Sequence, residues 1–122
     1  MNVRLTTEVS KYIMIATLST KLKNGRPYQK SYEEQRAGEK TNLAEVKALL
    51  LGCRHLNQNQ DFTLELDIKS AYIQVSVRSL EKWQQSDWKN SKGKTVTYKK
   101  EWQEIYELMK KFKVEIINEE EQ

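Results

Sequence analysis

The chain has 122 residues, of which 38% are hydrophobic and 31% charged, with 21 basic residues against 17 acidic ones and a formal net charge of +4. That length supports one core around a sheet but not two independent cores, and with a mean hydropathy of −0.82 the composition is that of a globular domain rather than a low-complexity chain. No apolar run approaches the roughly 20 residues of a bilayer span, and MNVRLTTE lacks the pattern of a secretory leader; the expectation is a soluble, intracellular, cytoplasmic protein with no membrane contact. The single Cys53 excludes an internal disulfide and a multi-cysteine zinc site, and reads as a buried thiol in a leucine-rich helix. A pI near 9.1 is compatible with nucleic-acid contact without requiring it.

Taken in chain order, residues 3–8 alternate apolar and polar and read as a strand, and residues 12–18 (YIMIATL) follow so closely that only a hairpin can join the two. Asn24-Gly25 is a tight-turn signal leading to a polar third strand over 28–35. From Asn42 the period becomes helical, with Val46, Leu49, Leu50, Cys53 and Leu56 on one face. Asn42 and Glu45 have the spacing of a capping box, in which side chains satisfy the free backbone donors of the first turn. Residues 62–68 (FTLELDI) alternate as strand four, after which Ser70 caps a second helix carrying Tyr72, Ile73, Val77 and Leu80 towards Trp83. Asn90 to Gly93 marks a loop; Trp102, Ile105, Met109 and Phe112 recur at helical spacing, and residues 114–117 (VEII) close as strand five. The predicted order is βββαβααβ. Right-handed crossovers between strands one, four and five make the sheet mixed, with its antiparallel strands on one side. One domain over residues 1–118 followed by an acidic tail at 119–122 accounts for the chain, with no internal repeat or linker.

Several stretches, in this order and spacing, resemble the type I ribonuclease H family. Thr41 to Leu50 (TNLAEVKALL) is similar to the family's Asn-x-Ala-Glu helix start, and Lys69 to Ile73 (KSAYI) to its Asp-Ser-x-Tyr-Val segment. The run from Trp83 to Lys89, the loop Ser91 to Lys94 and the stretch Lys99 to Tyr106 resemble its Trp-rich middle and the following helix. The resemblance implies a ribonuclease H-like α/β fold, a mixed five-stranded sheet flanked by helices. It also implies a domain that in active relatives hydrolyses the RNA strand of an RNA–DNA hybrid, using two magnesium ions held by four carboxylates. Two hard cations clamp the attacking water and the leaving oxygen in line, which is why the chemistry needs so many negative ligands.

This chain departs from that ligand set. Glu8 stands where the first strand of the family carries Asp-Gly-Ser, with a longer arm and no glycine turn after it, and Glu45 matches the helix-borne glutamate unchanged. The third carboxylate is replaced by Lys69, whose ammonium cannot ligate magnesium and moves the local charge by two units. The family's fourth carboxylate and histidine loop follow strand five on a further helix, for which residues 119–122 have no counterpart, and the only histidine is His55. The catalytic set is therefore not intact, with Glu8, Glu45 and Lys69 as its vestigial positions and Glu45 alone unchanged; no metal ligand set and no cofactor are expected, and magnesium enters only if the chain is a nuclease with unusual ligands. Lys69 among Glu8 and Glu45 suggests a built-in countercation in place of metal.

The resemblance also places a substrate handle around the tryptophans. Trp83, Trp88 and Trp102 either stack on nucleic acid or pack helices against the sheet, the latter reading weighing more for Trp102. Between the first two the chain reads QQSD where the family is basic. Lys89, Lys92, Lys94, Lys99 and Lys100 remain to track a phosphate backbone, and Asn42 completes the candidate nucleic-acid-binding set. The leading expectation is an inactive ribonuclease H-like protein binding RNA/DNA hybrid or duplex without cleavage. Its alternatives are a protein-interaction module on the same scaffold, which the weak charge and stripped handle favour, and the unusual nuclease.

Overall fold

A computed structural model describes residues 1–117; the acidic tail expected at 119–122 lies outside the described residues. Eight elements follow in the predicted order: β1 Asn2–Val9, β2 Ile13–Lys21, β3 Pro27–Gln35, α1 Thr41–Cys53, β4 Thr63–Asp67, α2 Ala71–Gln85, α3 Lys99–Met109 and β5 Lys113–Ile116. The sheet runs β3-β2-β1-β4-β5, with β1, β2 and β3 antiparallel and β1, β4 and β5 parallel. It is the mixed sheet expected of this alternation.

Alternation along the strands decides which face is covered. Leu5, Leu64 and Leu66 are essentially inaccessible and, being register partners or near neighbours in β1 and β4, point to one side, where α1 packs on the sheet with α2 and α3 against it. Side chains of opposite parity form a polar face: Arg4 and Asn2 donate to the Glu65 carboxylate across the β1–β4 pair, and Thr17 and Ser31 share a hydrogen bond across β2–β3. Helix α1 lies between the sheet and α3, so it buries residues on more than one side, from Ala44 to Cys53. Cys53 is completely covered and its thiol is pushed up to about 12 by desolvation, which makes it a core side chain. The core is closed at one end by Phe62 stacked on Phe112, ring centroids 4.2 Å apart.

Local signals mostly act as expected. Arg26 donates its backbone N–H to Asn24 Oδ1 while Leu22 N–H reaches Arg26 O, closing the Asn24-Gly25 turn. Ser70 caps α2, accepting from Ile73 N at 3.2 Å. The capping box does not form. Helix α1 begins one residue earlier than its first polar signal, with Lys40 at the N-cap and no side-chain cap bond; the loop before it is fixed by the Arg36 guanidinium, which donates to Glu39 O within the loop and to the distant Ser10 O, tying the β3–α1 loop to the β1–β2 turn. Asn42 and Glu45 lie inside the helix.

Glu39, only 11% exposed, holds this loop through its side chain, accepting from Ala37 N at 2.6 Å and from Lys47 Nζ at 2.8 Å. The Lys47 hydrogen bond, followed by the backbone donors, lowers its carboxyl from 4.5 to about 2. A carboxylate whose folded-state value is depressed favours the native state above its unfolded value and loses that contribution as pH falls through the folded one. The parent should therefore lose stability between about pH 5 and about pH 2 more steeply than Glu39→Gln, as read from urea midpoints across that range. Parallel acid limbs for the two proteins would show that Glu39 does not couple to folding.

Candidate nucleic-acid interface

Helix α2 ends at Ser86, and the chain then turns back through two consecutive left-handed residues, Asp87 and Trp88 (φ 59° and 61°). Each such residue that is not glycine costs about 1–2 kcal/mol, so burial has to hold them. Trp88 N–H donates to Trp83 O at 2.7 Å, and its indole, 7% exposed, sits against Trp83 and Tyr106 at centroid distances of 6.4 and 6.2 Å. Trp83 in turn meets Trp102, and Trp102 meets Tyr72. These aromatic rings form one connected cluster between α2 and α3.

From that base a short hairpin projects. Lys89 and Thr95 bridge in antiparallel fashion; Asn90 N–H reaches Lys94 O at 2.8 Å, and Asn90 Oδ1 accepts from both Lys92 N and Lys94 N. Gly93, at φ +78°, supplies the left-handed position the turn needs. Val96 is buried at its return, and Tyr98, again left-handed, opens α3. Lys89, Lys92, Lys94 and Lys100 are exposed and Lys99 is half-buried. The structure thus brings Lys89, Lys92 and Lys94 together on one rigid hairpin, with Lys99 and Lys100 on the first turn of the next helix. Trp88 and Trp102 belong to the core, with no open ring face to offer a base; Trp83 is half-buried against it. Asn42 is an exposed residue of the first turn of α1.

The vestigial residues do not converge in the same way. Val9 packs on Ala44 and Ala48 of α1, so alternation turns its neighbour Glu8 to the opposite, polar face with Arg4, Thr6 and Asp67. Glu45, half-buried, lines a groove of about 650 Å³ with Ser10, Lys11, Arg36 and Thr41 at the end of β1 and the start of α1. Lys69 is exposed just past β4, and among the described residues it forms no ion pair with Glu8 or Glu45. The ion pairs that a countercation would make are thus not present, and alternation sets Glu8 on the face of the sheet opposite to the one on which α1 packs. Among the described residues no group of three or more His, Cys, Asp or Glu side chains is placed to hold a metal ion.

A second groove of about 650 Å³ between β3, α1 and α3 carries Lys47, Arg54 and Lys100 against Glu34, Glu39, Glu101 and Glu104. Its charges are largely matched internally, Arg54 gripping Glu104 through two bonds of 2.7 and 2.9 Å, so it has no net pull on phosphate. Sequence patterns did not single out Arg36, whose bond to Ser10 O spans 26 residues, or the contact of Tyr106 with Trp88.

A family model described as RNase H matches residues 10–118. The chain belongs to the RNase H family. The matched span opens just after Glu8. In fold it is similar to the foamy viral protease-reverse transcriptase solved in complex with RNA/DNA hybrid (TM-score 0.71, 16% identity), covering 97% of this chain and 17% of that one, so the chain spans about a sixth of that protein's length. The solution structure of the PFV RNase H domain gives a TM-score of 0.67 at 16% identity, over 98% of this chain and 76% of that one. RNase H1 from the halophilic archaeon Halobacterium salinarum NRC-1 gives 0.54 at 13%, over 95% and 83%. No curated protein matches the chain. At these identities the likeness is one of RNase H fold. No helix among the described residues is long and apolar enough to cross a membrane.

Proposed function

We propose that this RNase H-family chain binds nucleic acid, an RNA/DNA hybrid or a duplex, without cleaving it. The observation that carries the reading is Lys69: at the position where the family's third carboxylate belongs there is an exposed cation, and a protonated amine offers magnesium no lone pair. The remaining donors support the same conclusion. Glu8 faces the polar side of the sheet and Glu45 the groove beside α1, so the residues present do not fit a pair of magnesium ions bridged by shared carboxylates. Binding is supported by the lysine hairpin on its aromatic base, a fixed row of cations of the kind that displaces counterions from a phosphate backbone. It is also consistent with the foamy viral protease-reverse transcriptase having been solved with RNA/DNA hybrid and with dsDNA.

The reading is checked by fluorescence anisotropy of labelled hybrid, duplex DNA and duplex RNA over a series of salt concentrations, in magnesium and in chelator, with the same mixtures run on denaturing gels. Binding should persist in chelator and no cleavage should occur. Replacing Lys89, Lys92 and Lys94 together by alanine should reduce the slope of log affinity against log salt by about 2–3, close to one counterion per lost phosphate contact. Magnesium-dependent cuts abolished by Glu45→Gln would overturn the proposal on its catalytic side, and an unchanged salt slope would remove the hairpin from the interface.

A further inference from the structure

Strand β3 is an edge of the sheet, nine residues long and paired only with β2. Its register with β2 is unbroken from Pro27 to Gln35, so no bulge twists the edge away, a device edge strands commonly use to avoid further pairing. Which backbone groups are free follows from the two ends of the ladder. Arg36 N–H donates to Tyr12 O and Leu22 N–H to Arg26 O, so even-numbered residues of β3 turn their hydrogen-bonding groups inward to β2. The odd-numbered residues Gln29, Ser31, Glu33 and Gln35 therefore direct theirs outward. Pro27, also odd, lies where its missing donor costs no ladder bond.

We infer that this edge pairs with the β3 edge of a second copy of the chain, antiparallel about a two-fold axis at Tyr32, joining two five-stranded sheets into one. The register is selected by charge. Outward groups can meet only if odd residues face odd residues, which limits the choices to shifts of two. Centring on Tyr32 places Lys30 opposite Glu34 of the second copy and Glu34 opposite its Lys30, Ser31 opposite Glu33, Gln29 opposite Gln35, and Tyr28 opposite Arg36. Opposite charges directly across a pair of strands attract, and like charges in that position are destabilising. Centring on Lys30 or on Glu33 instead opposes two like charges at the axis itself, and centring on Ser31 brings in Pro27 as a partner without an N–H and leaves both charges unmatched. Among the described residues Lys30 and Glu34 form no ion pair; the Lys30 ammonium lies over the Tyr32 ring of its own strand at 5.5 Å and Glu34 lines the groove with Lys47 and Arg54, and these weaker attractions compete with the cross-strand pairs. Tyr32 is held in place by stacking on His55 at 3.6 Å. Helix α1 packs chiefly on β1 and β2 and touches β3 little, so the helix layers of two copies, both on the same side of the joined sheet, leave each other room. The inference is independent of the nucleic-acid reading.

Sedimentation velocity over a concentration series, with circular dichroism to confirm folding, tests it. The parent should show a reversible monomer–dimer equilibrium below about 1 mM, the weak end of specific interfaces. Lys30→Glu and Glu34→Lys should each dimerise about ten-fold more weakly or worse, since each turns both symmetric charge pairs repulsive. An equimolar mixture of the two variants should regain the dimer, because glutamates of one then face lysines of the other at both pairs. Ser31→Pro, which removes an outward N–H and the Ser31–Thr17 side-chain bond but no backbone bond to β2, should be monomeric while still folded by circular dichroism, with Ser31→Ala, which loses only the side-chain bond, dimerising like the parent. A parent that stays monomeric at about 1 mM would overturn the inference and leave the edge to solvent or to another protein's strand. Charge or proline variants that dimerise like the parent, or a mixture that fails to recover the dimer, would overturn it equally.

Discussion

Replacing Trp102 by alanine should destabilise the protein by about 3–5 kcal/mol, the usual loss when a large aromatic is removed from a core that cannot collapse around the void. Trp102 is wholly inaccessible, lies on the face of α3 that meets the rest of the core, and touches Trp83 and Tyr72 of α2 edge to face at 6.2 and 6.3 Å. Its Nε1 donates to Tyr72 Oη at 3.4 Å, a long bond that contributes less than the ring's packing. Against a total stability of about 5–15 kcal/mol for domains of this kind, the variant should melt on the order of 10–20 °C lower. Because Trp102 supports Trp83, and Trp83 supports the strained Trp88 turn, the lysine hairpin should loosen before the sheet does. Amide exchange at residues 88–96 should accelerate more than at β1 and β4. A loss below about 1 kcal/mol in urea titrations, outside the range for buried aromatics, would show that this cluster is not what anchors α3.

Gly52→Val should cost about 3 kcal/mol, at the upper end for an overpacked core. A Cβ built at Gly52 would lie 2.4 Å from Leu5 Cδ1 and 3.1 Å from Ala16 Cβ, and Leu5 and Ala16 are both fully buried in the two strands beneath α1. Alanine at this position gains about 1 kcal/mol of helix propensity over glycine but meets the same Leu5 methyl, so Gly52→Ala should fall between the parent and the valine variant. Leu5→Ala removes the obstructing methyls. In that background the further cost of Gly52→Val should shrink, with a coupling of about 1–3 kcal/mol in a double-mutant cycle. Additive losses would mean that the clash is relieved by another route, such as a shift of α1 along the sheet.

The order of elements was legible because its signals are local: period-two runs in β1 and β4, a helical stripe from Val46 to Leu56, the Asn24-Gly25 turn and the Ser70 cap all act within a few residues. Element ends were less so. Leu56 and Phe112 belong to the core although they lie just beyond their helices, since apolar periodicity reports which side chains are buried rather than where backbone bonding stops. The start of α1 escaped for a different reason: Arg36 and Glu39 set it through side-chain bonds within the loop and through the long-range bond from Arg36 to Ser10 O, and Asn42 as a cap was only the best reading of the helix's own residues. The side taken by Glu8 could have been read from sequence, because Val3 and Leu5 are the apolar residues of β1 and an even-numbered neighbour must point the other way. The burial of Trp88 could not, since nothing in QQSDW announces two successive left-handed residues.

The position of β1 has a consequence for how the molecule comes together. It precedes the other strands of the domain in the chain, yet it lies in the middle of the sheet, paired on one edge with β2 next to it and on the other with β4, where Asn2 meets Thr63. The β1–β2–β3 meander can form early from nearby residues, but until β4 arrives its inner edge stands as open as its outer one. Closing such a distant pairing carries the loop-closure entropy of the whole intervening chain. A nascent chain that stops before residue 63 presents two unpaired edges where the finished domain presents only one on that ladder, so the interval before β4 docks is when this protein is most exposed to misassembly.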